Sequence, residues 1–259
     1  MSARPRSSRL KSLPGYKLGR ALKSALHRYL PAELRRRRSM RSFFRQFVSP
    51  GDLCFDIGSN VGDFADVFVE LGARVICVEP QDSCVRRLHK RFHHRPQVQI
   101  VASAVGDREG EAELLVCVDE PTISTLSPTW TQVGRFSSLE RWERTQRVPL
   151  TTLDALIRLY GTPKFCKIDV EGYEAQVISG LTSPIPVISF EFTREMLSVA
   201  EECTSRLAGL GVDTFNAVLG DHWSPVFPRW VSHRQVIQHL HEIPNRLLNG
   251  DIYAKRGPD

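Results

Sequence analysis

The chain has 259 residues, 41% of them hydrophobic and 25% charged, enough for one α/β domain with an appendage. No apolar run approaches the roughly 20 residues that span a bilayer, and the first residues lack the apolar core of a secretory signal, so a cytoplasmic protein is expected. The net charge of +6 is unevenly laid out. Residues 1–50 hold 14 Lys/Arg against the single acid Glu33, a net of +13, whereas the other 209 residues hold 21 Lys/Arg and 28 Asp/Glu, a net of −7.

A basic helical arm over 1–48 is therefore expected to precede a mildly acidic domain over 49–259. In the arm, Leu18, Leu22, Leu26 and Tyr29 recur at helical spacing among Lys17, Arg20, Lys23 and Arg28. After Pro31 come Arg35-Arg36-Arg37-Arg38 and then Phe43, Phe44, Phe47 and Val48. Such a segment either packs on the domain with its basic face in water or touches an anionic membrane surface. Basic runs are too unspecific to argue for nucleic acid, and none is expected as a partner.

From Leu53 onward, short apolar runs alternate with helix-like segments, the pattern of a parallel sheet covered on both faces. Leu53–Ile57 reads as the first strand, Gly62–Leu71 as a helix, Arg74–Val78 as the second strand and Asp82–His93 as a helix. A third strand is expected over Val98–Val105, with a possible edge strand over Glu111–Val118. Residues 119–146, rich in Ser, Thr and Pro, read as an irregular lid or binding loop. Beyond them, Thr152–Tyr160 suggests a helix, Phe165–Val170 a fourth strand and Tyr173–Leu181 a helix. Val187–Phe192 follows as a fifth strand, then a helix through Leu210 and last strands over Val212–Leu219 and Asp251–Lys255, with 220–248 read as irregular. The six cysteines form no CxxC pair, and four lie in strand-like runs, so buried thiols are expected.

The segment Asp56-Ile57-Gly58-Ser59-Asn60-Val61-Gly62 falls at a strand-to-helix turn. Glycines there let backbone approach a ligand, and amides at the helix start can face a negative group. For S-adenosylmethionine that group is the methionine carboxylate, with Asp56 near the amino group. Glu79 ends the second strand, where a carboxylate can accept both hydroxyls of a ribose. A nicotinamide cofactor is the rival, but its fingerprint wants glycine where this chain has Asn60. After the third strand, Gly106-Asp107 either bonds an adenine through Asp107 or a backbone amide, or is a plain turn.

Together with the glycine turn, the stretch Lys167-Ile168-Asp169-Val170-Glu171-Gly172 resembles the FkbM-type family of S-adenosylmethionine-dependent methyltransferases. Val78-Glu79-Pro80, Ser124-Thr125-Leu126, Thr152-Leu153-Asp154 and Ile188-Ser189-Phe190-Glu191 carry the same resemblance, which runs from about Gly51 to Lys255. It implies a class I methyltransferase fold: a Rossmann-like three-layer sandwich on a seven-stranded, mostly parallel sheet whose last strand is antiparallel. It also implies methylation, usually of oxygen, on a sugar or secondary-metabolite hydroxyl, with an amine as the neighbouring case. Asp56, Gly58, Ser59, Asn60, Gly62, Glu79, Pro80 and Asp107 are the candidate cofactor residues.

Ligands in open parallel sheets sit at the carboxyl ends of strands, which puts Asp169 and Glu171 at one tip and Glu191 at the next. Asp169 is the leading base or substrate anchor, then Glu171, then Glu191. Glu171 is equally suited to capping a helix start. Lys167 reads as an outward residue or an ion-pair partner. Asp169 with Glu191 could alternatively hold Mg²⁺, although no complete metal ligand set is visible. His222, His233, His239 and His241 form no metal motif. Trp130, Trp142, Trp223 and Trp230 either line a pocket or bury loops. A fold-retaining, non-catalytic adaptor at a membrane surface is the reading from another class, and neither the acceptor nor the oligomeric state is written in these motifs.

Overall fold

The structure, a computed structural model, describes residues 31–245 and 248–257. The Leu18–Tyr29 pattern lies outside the described residues. The first strand, Leu53–Ile57 (β1), is buried almost end to end, as are Arg74–Val78 (β2) and Phe165–Ile168 (β7). Strands of this kind are apolar on both faces because helices cover both. With Val98–Val101 (β3), Val187–Thr193 (β8), Thr214–Leu219 (β9) and Asn249–Lys255 (β10) they form a seven-stranded sheet of order β3-β2-β1-β7-β8-β10-β9. The pairs from β3 to β8 are parallel, and β10 runs antiparallel between β8 and β9.

Two apolar layers flank this sheet. One packs Asp63–Glu70 (α2) and Asp82–Phe92 (α3) through Val67, Phe68 and Leu88, together with Phe44 from Pro31–Phe44 (α1). The other packs Leu153–Tyr160 (α5), Glu174–Ser179 (α6), Leu197–Gly209 (α7) and His233–Glu242 (α8) through residues such as Leu156, Val177, Leu207 and Leu240. Three layers around one parallel sheet are the doubly wound solution to covering both faces. All six cysteines are buried free thiols.

α1 starts on Pro31, whose missing N–H costs nothing in a first helical turn. Its last turn enters the core: Phe44 is fully buried, with edge contacts to Phe68 and Phe165 at ring distances of 5.2 and 5.4 Å. Arg37 pairs with Glu70 at 2.7 Å, while Arg35, Arg38 and Arg45 face water.

Several sequence expectations need correction. The run Val98–Val105 is two strands in different sheets. Ser103 bends the chain between them, its hydroxyl donating to Ala104 O at 2.9 Å and Pro149 O at 3.0 Å. Ala104–Val105 (β4) joins Gly110–Val116 (β5) and Arg144–Thr151 (β6) in a small separate sheet of order β4-β6-β5, so the expected edge strand belongs to that sheet. The stretch 119–146 carries a 3-10 turn over Pro121–Ile123, the helix Pro128–Val133 (α4) capped by Ser127, and the start of β6. The segment 220–248 contains α8, closed by a Ser232/Gln235 capping box.

Candidate cofactor and acceptor site

The turn after β1 is built from alternating left-handed residues: Gly58 at φ +77°, Asn60 at +48° and Gly62 at +84°. The reason for glycine differs from the sequence reading. A Cβ at Gly58 would stand 1.8 Å from the Asp169 carbonyl of the neighbouring strand tip, and one at Gly62 would stand 2.5 Å from Phe92 of α3. Both glycines make room for neighbouring protein, and Gly58 also lines the cleft described below. Gly58 N–H and Ser59 N–H both donate to Val78 O, which ties the turn to the end of β2.

Glu79 follows β2 and faces the turn. Its Oε2 accepts Asn60 N–H at 2.8 Å and its Oε1 accepts Gln81 N–H at 2.8 Å. Burial pushes its carboxyl up to about 7, although the two amide donors pull the other way. A cleft enclosing about 820 Å³, part of it open to solvent, begins here and is lined by Gly58, Asn60, Glu79, Pro80, Asp169 and Glu171, among others. Pro80 is held by Gln146 of β6, whose amide donates to Pro80 O at 2.9 Å.

Asp169 and Glu171 on the cleft wall and Glu191 beside them bring their carboxylate oxygens within 4.8 Å of one another. Two cations act on this ridge, Lys167 throughout and Arg135 at Glu171. Lys167 is fully buried, bonds Asp251 at 2.9 Å and Asp169 at 3.2 Å, and stands 5.0 Å from the Phe64 ring centre. It is an ion-pair partner, not an outward residue. Burial pulls its pKa down, but Asp169, Asp251 and Glu191 together override that and raise it. Glu171 and Glu191 are pushed well above the usual carboxylate range, first by burial and then by the neighbouring acids. Oxygen groups at this spacing can share a proton or hold a hard divalent cation.

The other predicted residues sit nearby but away from the cleft wall. Asp56 is 2% exposed and accepts Ala65 N–H at 3.2 Å, so its carboxylate supports the start of α2 beneath the turn. Burial raises it to about 7. The Ser59 hydroxyl donates to Asp56 O at 2.6 Å. Asp107 faces solvent, pairs with Arg108 at 3.2 Å and does not line the cleft. Glu191 lines a smaller adjoining cavity with Trp130 and Glu174. None of His222, His233, His239 and His241 lines the main cleft, and neither do the four tryptophans. Trp130 and Trp223 are buried instead, and Trp142 donates to Ile123 O at 2.8 Å. Sequence reasoning missed Gln81, Ser103 and Tyr173, which also line the cleft. Of these, Gln81 carried a signal through its place directly after Glu79-Pro80.

The sheet order with β10 reversed, the glycine turn after β1 and the acid after β2 define a class I methyltransferase. The chain belongs to the FkbM methyltransferase family, its residues 56–242 matching the Methyltransferase FkbM domain. No curated protein matches it. Among solved structures it is similar to precorrin-6y C5,15-methyltransferase from Geobacter metallireducens GS-15, at 12% identity and TM-score 0.44 over 85% of this chain and 87% of that one. It is also similar to a ribosomal RNA methylase from Streptococcus thermophilus, at 8% identity and TM-score 0.43 over 84% and 94% of the two chains. A third is Aeropyrum pernix fibrillarin solved with S-adenosyl-L-methionine, at 12% identity and TM-score 0.42 over 80% and 68%.

The cofactor of this family is S-adenosylmethionine, and the residues present fit it. Each oxygen of Glu79 spends one lone pair on a backbone amide and keeps another for a ribose hydroxyl. The cleft that Glu79 lines is also lined by the strand-tip residues Asp169 and Glu171.

Proposed function

We propose that the protein transfers a methyl group from S-adenosylmethionine to a hydroxyl of a small molecule or glycan. The observation that carries this reading is the convergence of Asp169, Glu171 and Glu191, the first two of them on the wall of the cleft that Glu79 also lines. S-adenosylmethionine, when bound, supplies an electrophilic methyl on a sulfonium. The protein's own share is to orient the acceptor and accept its proton. Asp169, braced by Lys167, anchors acceptor hydroxyls. Glu171, made more basic by burial and then by Asp169 and Glu174, takes the proton, and Glu191 lies beside it as a further acid of the cluster. The acidic rim disfavours a polyphosphate acceptor, which argues against nucleic acid.

Arg35 and Arg38 on α1 and Arg45 just beyond it are exposed, and the sequence of residues 1–30 holds eight Lys/Arg and no acid, which together support peripheral contact with an anionic membrane. Sedimentation with vesicles of anionic and neutral lipid tests that contact; equal binding to both kinds removes it. For the chemistry, purified protein with methyl-labelled S-adenosylmethionine and a metabolite extract of the source cells should label a non-macromolecular fraction. Asp169→Ala should abolish the labelling while leaving cofactor affinity nearly intact. Labelling confined to RNA, or full labelling by the variant, refutes the reading. Cofactor binding without any labelling would favour the adaptor reading.

A further inference from the structure

We propose that Thr125, in the insertion between β5 and β6, is a positioning residue for Glu171, so that the segment roofing the cleft also aims its proton acceptor. The proposal rests on the methyl-transfer reading above. Glu171 has φ +55°, a left-handed backbone uncommon for a residue with a side chain. Backbone of this kind persists where surroundings over-determine it, and here they do. The Glu171–Gly172 peptide is gripped at both ends. Its carbonyl accepts the Thr125 hydroxyl at 2.7 Å, and its N–H donates to Glu174 Oε1 at 3.2 Å.

Thr125 is itself fixed. It is 1% exposed, and its backbone exchanges two bonds with Leu115, at 2.9 and 3.0 Å. Its oxygen accepts Ser127 N–H at 2.8 Å, which leaves the hydroxyl proton for Glu171. On the far side of the turn, a Cβ at Gly172 would stand 3.0 Å from Met196 Sδ and 3.2 Å from Trp130 Cβ, so the peptide has little room to swing. The direction of a Cβ follows the backbone, and the left-handed value is what turns the Glu171 carboxylate toward Asp169 and Glu191. Ser124, Thr125 and Leu126 all line the cleft. An acceptor that presses on this roof therefore bears on the hydroxyl that holds Glu171, and acceptors that fail to seat the roof leave the proton acceptor misaimed.

The test compares wild type with Thr125→Val, which keeps the shape and loses the hydroxyl, and Thr125→Ser, which restores it. Crystal structures read Glu171 φ directly. Transfer of tritiated methyl into the acceptor pool of a source-cell extract reads the reaction, and titration calorimetry with S-adenosylmethionine reads the cofactor end. The Val variant should lose tenfold or more in transfer, with Glu171 leaving the left-handed region and cofactor affinity within threefold, while the melting temperature falls because Ser127 N–H and Glu171 O each lose a partner. The Ser variant should recover to within threefold of wild type. Wild-type transfer by the Val variant, an unchanged Glu171 φ, or a loss of cofactor affinity as large as the loss of transfer would overturn the proposal. If wild type binds the cofactor but labels nothing, the methyl-transfer reading fails by itself, and Glu171 φ in the Val variant still decides the positioning.

Discussion

Replacing Glu79 with Gln probes the cofactor end of the cleft with a magnitude that the geometry supplies. Both carboxylate oxygens already hold a backbone amide at 2.8 Å, from Asn60 and Gln81. A ribose then adds a hydroxyl to each remaining lone pair, and bonds to a charged partner contribute about 1.5–3 kcal/mol apiece. Gln keeps one acceptor oxygen, loses the charge and turns an NH₂ toward one of the two amide donors. The expected loss is about 3 kcal/mol, roughly a hundredfold in Kd for S-adenosylmethionine. The pH dependence gives a second number. Burial holds Glu79 near 7 in the free protein, and hydroxyl donors favour its anion, so binding tightens as pH rises through that value. About one molecule in eleven is ionised at pH 6, which makes affinity there about tenfold weaker than at pH 8. Titration calorimetry at pH 6, 7 and 8 on both proteins reads both effects. Asp56 titrates in the same range from beneath the turn, and because the Glu79 charge is the smallest of its causes, most of its share persists in Glu79→Gln and the larger part of the difference between the two profiles belongs to Glu79. A variant within threefold of wild type, or a wild-type Kd flat across that range, would refute the ribose assignment.

The remaining predictions concern the acidic ridge and the buried carboxylates. Lys167→Met removes the cation between Asp169 and Asp251 and leaves buried charge uncompensated, a loss of about 3–5 kcal/mol by urea unfolding; a loss under about 1 kcal/mol would show that the ridge is already neutral through bound protons. Asp56, Glu79 and Glu174 are each raised to about 7 by burial, so the folded state binds more protons than the unfolded chain between the ordinary carboxylate range and 7. The stability these groups contribute is complete below the unfolded pKa and is lost as pH rises through about 7. The urea midpoint of the cofactor-free protein should accordingly fall from pH 5 to pH 8, and a rising midpoint contradicts this. Dialysis against EDTA should leave methyl transfer unchanged; a loss restored by Mg²⁺ would make the Asp169, Glu171 and Glu191 trio a metal site.

What the sequence made legible is local. β1, the turn and Glu79 lie within 27 consecutive residues, and buried parallel strands announce themselves as short apolar runs. The strand-tip acids were legible for the same reason. Features set by distant pairing were not. Gly58 is required by the carbonyl of Asp169, a partner brought alongside only when β7 joins β1. The small sheet depends on β4 meeting β6, some 46 residues on, so β4 looked like the continuation of β3. Lys167 was open to an outward reading because alternation places a polar residue in water only where one face of the sheet is solvated, and here neither is. Thr125 gave no geometric hint, since its hydrogen bond to Glu171 spans 46 residues.

The reversed strand β10 has a consequence in time as well as in space. It enters the sheet between two strands made earlier, and it brings Asp251, the nearer of the two carboxylates bonded to Lys167. A nascent chain can form β1, the turn and Glu79 while β10 is still being synthesised, but its buried ammonium then lacks one counter-charge and β9 lacks its neighbour. The cofactor end can therefore take shape early, whereas the acidic end waits for β10 to pair with β8, and a chain cut short before Asn249 carries half a site.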